Sequence, residues 1–555
     1  MPGTNEPRTV VMVGGGISGL ATAYRLHRGP AGSEGPARSE GSAGAEGTPG
    51  PGGSAGLEGS AGSEASVRVV LLEAAERLGG KVATAEVAGL RVDVGPDALL
   101  ARSPLVRALL VELGLATHVQ RAEPLGAYVW TRGVLRRLPP GSLFGVPERL
   151  LPLLRSGLLG PWGTLRAAAD LVLPRLRTGP DPSIAELLRP RFGRPVFDRL
   201  IDPMLGGVHA GRAEALSARS AVPEVHALVS RHRSAYLALR QRRAGSAGGG
   251  ARPGGNAGPG PNPEGSPGSG HHLVPGGPAA GTLPADLGLV TLDGGLGELT
   301  AALHRGLAGA DVRTGTVVRG LHRSGAGYRL TLENGNTIDA DAVVLATPAA
   351  VSADLLRALS PAAAAALDGI PTVGVATVTM AFPRSAVARP LDATGFLVPP
   401  AEGRFLVGCS WLTQKWPYLH RDDLVVLRCM VGRHGDQRWS ELDDATLVAR
   451  VRAELAEALG GLQGEPRQVR IARWPRAMPQ YTVGHADRLA ALDVALAAIP
   501  GIIATGAAYR GVGLSGCLVQ AEACAQVVRG HLDAPPPPGR ALPVTVASAS
   551  VQARS

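Results

Sequence analysis

Four consecutive apolar residues, Val10 to Val13, run into Gly14, Gly15, Gly16, Ile17, Ser18 and Gly19, and then into a helix-spaced stretch from Leu20 to Leu26. A short apolar run bounded by glycines predicts a buried strand, and the spacing after it predicts a helix packed on that strand. A second apolar run, Val67 to Leu72, predicts a neighbouring strand that ends in Glu73. Between helix and strand, residues 29–66 are almost wholly Gly, Ala, Ser, Glu and Pro with one leucine. Such a segment buries too little apolar area to offset its ordering entropy, so a disordered insert is expected there. The same reasoning predicts a low-complexity linker over 243–281 and a disordered tail over 534–555.

Helical periodicity dominates 103–242, in Leu105 to Leu113, Ser183 to Leu188 after Pro182, and Ala235 to Arg240, with prolines dividing the region into short helices. The cluster Leu150, Leu151, Leu153, Leu154, Leu158, Leu159 and Trp162 exceeds what one helix face needs. It is expected as core or channel lining, with contact to a membrane surface as the alternative. Beyond Leu289 the pattern predicts a helix from Gly294 to Leu307 and strands over Val312 to Leu321, Tyr328 to Leu332 and Ala342 to Ala346. Strand-like runs then follow at Val373 to Phe382, Gly395 to Val398, Phe405 to Trp411 and Leu424 to Val431. The chain closes with a strand at Ile502 to Gly506 and a helix at Ser515 to Arg529.

The first unit carries chemistry. In the strand–glycine–helix context, Gly14 permits the tight turn, Gly16 lets the backbone approach a pyrophosphate, and Gly19 allows close helix–strand packing, while the helix N-terminus favours negative charge. Glu73 at the end of the second strand is placed for a ribose, and together these predict an adenine dinucleotide. Glu73 is followed by Ala74, Ala75, Glu76, Arg77, Leu78, Gly79, Gly80 and Lys81, a turn that adds backbone amides and cations near the fingerprint and points to a flavin rather than a nicotinamide site. Gly95, Pro96, Asp97 and Ala98 read either as backbone lying flat against an isoalloxazine ring or as a simple turn. The closing helix would aim its N-terminus at the N1/C2 oxygen region of a flavin. The predicted fold is therefore α/β: a Rossmann-like FAD-binding domain assembled from discontinuous segments (8–102, 285–350 and 496–533), a mixed-sheet substrate domain (351–495) and a helical insert (103–242).

Composition narrows the picture. With 555 residues and 45% hydrophobic content the chain can build a large core in two or more domains. No apolar run approaches the roughly 18 residues of a membrane span, and the N-terminus opens into the fingerprint strand without a signal-like segment, so membrane association is expected to be peripheral at most and the cytoplasm is the default location. Cys409, Cys429, Cys517 and Cys524 show no metal-ligand spacing and read as reduced core thiols, so no metal is expected. The net charge of +10 is nearly all arginine, since Lys81 and Lys415 are the only lysines. Arginines such as Arg189, Arg191, Arg194 and Arg199 are read as solvated or helix-capping, with a subset available for a polyanionic small molecule; no nucleic-acid partner is expected.

Several separated motifs together resemble the flavin-containing amine oxidase superfamily and, within it, the porphyrinogen oxidases of haem biosynthesis. Gly14 to Leu20, Leu72 to Lys81 and Tyr509 to Leu514 are shared across the superfamily. Gly95 to Arg102, Gly206 to Gly211 with Leu216 and Ser217, and Trp474 to His485 add to them, and the last two are narrower and resemble porphyrinogen oxidases. The resemblance implies an FAD-dependent dehydrogenation in which a porphyrinogen loses six electrons and six protons over three flavin cycles, with oxygen as acceptor and hydrogen peroxide as product. Cys409, Ser410 and Trp411 followed by Lys415, Trp416 and Pro417 resemble the soluble Gram-positive-type enzymes, which implies coproporphyrinogen III as substrate; protoporphyrinogen IX is the alternative. A ferrochelatase is the partner implied by the same resemblance. Carotenoid desaturases and amine oxidases share the nucleotide motifs, and isoprenoid-binding escort proteins share the fold without flavin.

Residue roles follow from the resemblance. Gly14, Gly15, Gly16, Ile17, Ser18 and Gly19 would meet the pyrophosphate, Glu73 and Ala74 the ribose end, and Gly80 and Lys81 the adjoining turn. Gly95, Pro96, Asp97 and Ala98 would flank the ring, the backbone of Val318 would meet adenine, and Trp474, Val512, Gly513 and Leu514 would close the flavin site. No position shows the setting of a covalent link, so the FAD is expected to be non-covalent and Cys517 a core residue. Arg102 is the candidate propionate ligand, against a plain surface arginine. The family's ring-stacking phenylalanine falls at Thr394, with Phe396 two residues on. Lys415 is read either as a lysine near flavin N5 or as a surface pair, and His209 and His485 as packed or hydrogen-bonded rather than as bases. No protein side chain is expected to act as catalyst, because the flavin carries the hard step.

Overall fold

The computed structural model describes residues 7–28, 67–247, 283–284 and 286–534. The expected inserts at 29–66 and through most of 243–281, and the expected tail beyond Ala534, lie outside them. The helix that begins at Ala235 continues to Ala247, into the stretch expected as linker.

The nucleotide half is a five-stranded parallel sheet in the order Asp311–Arg313, Val67–Leu72, Arg8–Val13, Ala342–Leu345, Ile502–Ala504. Its strands come from three separated parts of the chain, so the sheet forms only when distant segments meet. Parallel strands covered on both faces must be apolar at successive positions. Val10, Met12, Val69, Leu71 and Val344 accordingly bury on one face, against the helices Ile17–Arg28, Gly297–Arg305 and Leu514–Asp533. Val11, Val13, Val70, Leu72, Val343 and Leu345 bury on the other. There they meet a three-stranded antiparallel sheet, Val318–Ser324, Gly327–Leu332 and Thr337–Ala340. The single strand expected over Val312 to Leu321 is thus two, broken where Gly315 and Thr316 bond back to Ala75 and Glu73.

The second half is a seven-stranded mixed sheet in the order Gln468–Pro479, Thr372–Pro383, Leu424–Val431, Leu406–Trp411, Gly395–Leu397, Tyr128–Thr131, Val134–Arg137. One face packs Val378, Met380, Leu427 and Cys429 against the helix Asp444–Leu459 through Leu447, Val451 and Leu455. Alternation turns Thr377, Arg428 and Ser410 to the other face, toward the nucleotide half. Two features correct the sequence reading. The last two strands come from inside the stretch expected as a helical insert, where a four-residue hairpin arm is too short to set a clear period. The 12-residue strand Gln468–Pro479 was not foreseen, because Arg470, Arg473 and Arg476 interrupt its apolar pattern.

The remaining helices, from Leu150 to Ala247, surround a third core of Leu153, Leu158, Leu188, Phe192, Phe197 and Leu205. The Leu150–Trp162 cluster does not act as one unit. Leu153, Leu158 and Leu159 are buried, whereas Leu151 and Leu154 are exposed and Trp162 is 82% exposed. Among the described residues no helix is long and apolar enough to cross a membrane. All four cysteines are buried free thiols, with Cys409 and Cys429 directly opposite each other on neighbouring strands.

Candidate functional site

The fingerprint lies where the sequence placed it, at the carboxyl end of the first strand and the start of the Ile17–Arg28 helix. A Cβ at Gly19 would fall 1.9 Å from the Gly14 carbonyl oxygen, so any side chain there would push helix and strand apart. A Cβ at Gly16 meets nothing within 4 Å, which leaves open space at the helix N-terminus. That helix has no acidic residue in its first turn to satisfy its free amides, so an anion suits the position. The Glu73 carboxylate borders the same space, accepting from Gly15 N (2.6 Å) and Ala75 N (2.8 Å). Gly79 N donates to Gly15 O (2.8 Å), which lays the Gly79–Gly80 turn against Gly16. Ala74 belongs to the same end, and Val318 begins the strand that follows Thr316, whose amide donates to Glu73 O (2.8 Å). The side chains of Ile17 and Ser18 are buried, Ile17 in the core, so only backbone at Ile17 faces outward.

The Gly95–Ala98 segment is clamped from the sheet domain. Arg428 Nη1 donates to Asp93 O and Gly95 O, both at 2.8 Å, and its Nη2 pairs with Asp97 Oδ1 at 2.9 Å. Lys415 Nζ pairs with Asp97 Oδ2 at 2.8 Å, and Thr377 Oγ1 donates to Val94 O at 2.7 Å. Asp97 is buried; its two cationic partners outweigh burial and hold its carboxyl below the usual carboxylate range. The clamp consumes the Asp97 carboxylate, so the backbone of this segment is what it leaves to face a ligand. Lys415 forms a pair, as one of its two readings had it, but with a buried partner rather than at a surface. A Cβ at Gly95 would lie 2.0 Å from Lys81 O, so this position takes glycine alone. Lys81 itself leaves the fingerprint turn: its Nζ reaches Ala477 O (2.5 Å) on the Gln468–Pro479 strand, and burial lowers its pKa.

The two narrower motifs meet. Gln480 Nε2 donates to His209 O (2.9 Å), Ser217 N to Tyr481 O (2.8 Å) and Val483 N to Ala215 O (3.1 Å). Tyr481 Oη donates to Ala507 O (2.8 Å) and accepts from Gly511 N (2.9 Å), and His485 Nε2 donates to Tyr509 O (3.0 Å). These bonds fix the chain leading through Val512 to Gly513, which caps the Leu514–Asp533 helix without a side-chain bond. A Cβ at Gly513 also meets nothing within 4 Å, so this helix N-terminus faces open space as well. Trp474 is half-buried on the same sheet face as Thr377, its indole N–H without a hydrogen-bond partner among the described residues. His209 is buried, with its pKa held down to about 4 by desolvation, and burial lowers His485 as well, so both are neutral packing groups. Cys517 sits in the core between the two long helices.

The substrate residues fall differently. Phe396 is 2% exposed, edge-on to Trp130 at 6.1 Å in the sheet core, and cannot stack on a ligand. Thr394 spends its hydroxyl on Gly126 O (2.9 Å). Period-two alternation turns Leu397 to the opposite face, where its Cδ2 would lie 3.1 Å from a Cβ at Gly207. Half-buried Leu397, Ser410 and Met430 thus line the sheet face across from the exposed end of the Asp202–His209 helix. They escaped sequence reasoning because the strand's burial phase was not known. Arg102 is half-buried, with Nε lacking a hydrogen-bond partner among the described residues.

A parallel sheet with glycine-lined helix N-termini, locked to a mixed sheet by interdomain clamps, defines a dinucleotide-dependent oxidoreductase fold. The sequence profile of the family described as flavin containing amine oxidoreductase matches residues 17–529, and the chain belongs to that family. It is 31% identical over 515 residues to a coproporphyrinogen III oxidase of Bacillus subtilis, covering 93% of this chain and 96% of the relative. It is 34% identical to the coproporphyrinogen III oxidase of Propionibacterium freudenreichii, covering 95% and 92%. A crystal structure from Exiguobacterium sp. 255-15, provisionally named a protoporphyrinogen oxidase, superposes with a TM-score of 0.74 at 29% identity over 94% of this chain and 98% of that one. The residues present fit a flavin: two helix N-termini without an acidic residue in the first turn, open glycine positions at Gly16 and Gly513, and a carboxylate, Glu73, beside the first of them.

Proposed function

We propose that the protein oxidises coproporphyrinogen III to coproporphyrin III, using non-covalently bound FAD and molecular oxygen, in haem biosynthesis. The observation that carries this reading is the bonding of the Gly206–Gly211 segment to the Trp474–His485 block, and of that block to the loop before Gly513. These two motifs are the ones that resemble porphyrinogen oxidases in particular, and relatives named coproporphyrinogen III oxidase align over more than nine-tenths of their length. In the balanced reaction, coproporphyrinogen III and three oxygen molecules give coproporphyrin III and three hydrogen peroxide molecules, with six electrons and six protons leaving the macrocycle.

FAD, when bound, supplies the two-electron acceptor that oxygen regenerates. The protein's own groups bind, orient and exclude. The helix N-termini at Ile17 and Leu514 receive negative charge, and Glu73 receives ribose hydroxyls. The clamped Gly95–Ala98 backbone sets one wall. Leu397 and Met430 offer an apolar surface to the macrocycle, and Arg102 offers an unpartnered guanidinium to a propionate. Productive oxidation needs the reacting bridge carbon held in one place and orientation, which rigid backbone supplies better than mobile side chains. No described side chain is required as acid or base, in keeping with neutral, packed His209 and His485.

Protoporphyrinogen IX oxidation is the second reading, favoured by the name given to the Exiguobacterium structure. Rates on both porphyrinogens, measured side by side with flavin-loaded protein, test the choice. A ferrochelatase that consumes the product is the partner this reading implies, and cross-linking of the two proteins in product-loaded mixtures tests it.

A further inference from the structure

The central strands of the mixed sheet are buried almost throughout, and their exceptions fall on one face. In Leu424–Val431 only Met430 is not buried, in Leu406–Trp411 only Ser410, and in Gly395–Leu397 only Leu397. Between the end residues of Thr372–Pro383 the exception is Val375. The register brings the four together. Met430 is opposite both Thr377 and Gly408, and Gly408 is opposite Leu397. Val375 and Ser410 stand two residues from Thr377 and Gly408, so they share the same side of the sheet. Val375, Leu397 and Met430 belong to none of the hydrophobic cores, and this side forms a floor that the described residues leave partly uncovered.

Two features frame the floor. On one side Thr377 and Arg428 hold the Gly95–Ala98 segment through Val94 O, Gly95 O and the Asp97 carboxylate. On the other, exposed Gly207 and Val208 lie near the end of the Asp202–His209 helix, with Gly207 next to Leu397. Ser410 is on the strand between those of Arg428 and Leu397, directly opposite Arg428. The Thr377 hydroxyl and the Arg428 guanidinium are committed to the clamp, whereas the Ser410 hydroxyl makes no hydrogen bond among the described residues. A ligand laid on this floor takes that hydroxyl out of water, and a buried hydroxyl is costly unless the ligand supplies its partner.

We propose that Ser410 Oγ accepts a hydrogen bond from an inner pyrrole N–H of the porphyrinogen and so fixes the centre of the macrocycle over the floor. The inference rests on the porphyrinogen reading above and deepens it. At its centre a porphyrinogen carries four pyrrole N–H groups, which are donors only, and its carboxylates lie on the rim. A serine oxygen has the lone pairs to accept such a bond. A carboxylate would call for a free cation beside the hydroxyl, and Arg428 opposite it is already paired with Asp97. Leu397, Met430 and Val375 supply the apolar surface around this one polar contact.

The test uses flavin-loaded Ser410→Ala, Ser410→Val and Ser410→Thr proteins, with flavin content and unfolding midpoint measured for each. Steady-state rates on coproporphyrinogen III and protoporphyrinogen IX give kcat and KM. Loss of the acceptor is expected to lower kcat/KM about three- to tenfold in the alanine and valine variants, mainly through KM, the scale of one hydrogen bond. The loss should be equal on both substrates, which share the inner N–H groups. Ser410→Thr, which keeps a hydroxyl within the shape of valine, should recover most of it. An alanine variant as active as the parent, a threonine variant no better than valine, or a loss confined to coproporphyrinogen III would overturn the assignment while leaving the oxidase reading standing. So would a loss that follows flavin content or stability. A wild-type protein that oxidises neither porphyrinogen overturns both.

Discussion

Tyr481 and His485 stack face to face, their ring centroids 4.0 Å apart and their planes 13° from parallel, and each ring then holds the chain that leads to the closing helix. The tyrosine hydroxyl bridges Ala507 O and Gly511 N, and the imidazole bonds Tyr509 O. Two side chains one helical turn apart in sequence thus fix the same loop, the one before Gly513.

Tyr481→Phe keeps the ring and removes the bridge, leaving the Gly511 amide without its acceptor. A buried donor left unpaired costs about 1–3 kcal/mol. Urea unfolding should show that loss, and the flavin Kd should rise together with it. Unchanged flavin retention would separate this loop from the cofactor site.

The Asp97 clamp is a buried electrostatic link between the two halves. Asp97→Asn removes the negative charge shared by Lys415 and Arg428, and breaking one side of a buried pair typically costs about 3–5 kcal/mol. The variant should lose a large part of its stability in chemical denaturation. Replacing Asp97, Lys415 and Arg428 together with apolar residues should cost less than the single change.

Gly19→Ala tests the packing of the fingerprint helix. Its Cβ would lie 1.9 Å from Gly14 O, so the helix must shift bodily and with it the amides facing Gly16. The purified variant should carry much less flavin per chain than the parent protein, read from the visible flavin absorbance relative to that of the protein. Full flavin loading would contradict the role assigned to this contact.

Stability should respond to pH through His209. Burial holds its folded pKa at about 4, below the value of 6.5 for a free imidazole. The unfolded chain therefore binds a proton first on acidification, so this contribution is complete above about pH 6.5 and is lost as pH falls toward 4. Asp93 and Asp202, both raised by burial to about 6, act in the opposite sense over the overlapping acid range. His209→Gln should remove up to about 1.4 kcal/mol per pH unit from the acid slope of unfolding free energy, measured between about pH 4.5 and 6.5.

Much of the nucleotide half was legible in the sequence because continuous apolar strands such as Val10–Val13 and Val67–Leu72 are bounded by glycines whose spacing has a steric cause. The sheet domain was legible only where β-branched runs such as Leu424–Val431 stand clear. Tyr128–Thr131 was hidden in a helical neighbourhood, and arginines masked Gln468–Pro479. The site was harder, since Asp97 and Lys415 are 318 residues apart and nothing local says that they meet. Phe396 misled for a related reason: a one-residue change of phase on a strand exchanges one face for the other, and Leu397 faces the Asp202–His209 helix instead.

The measurement closest to the central claim is an aerobic assay of purified, flavin-loaded protein on coproporphyrinogen III and protoporphyrinogen IX side by side. Porphyrin fluorescence would be followed above the spontaneous rate, with peroxide quantified in parallel. The account predicts a clear preference for coproporphyrinogen III, with three peroxide molecules formed per porphyrin. Preference for protoporphyrinogen IX, or oxidation of neither substrate while flavin remains bound, would contradict it.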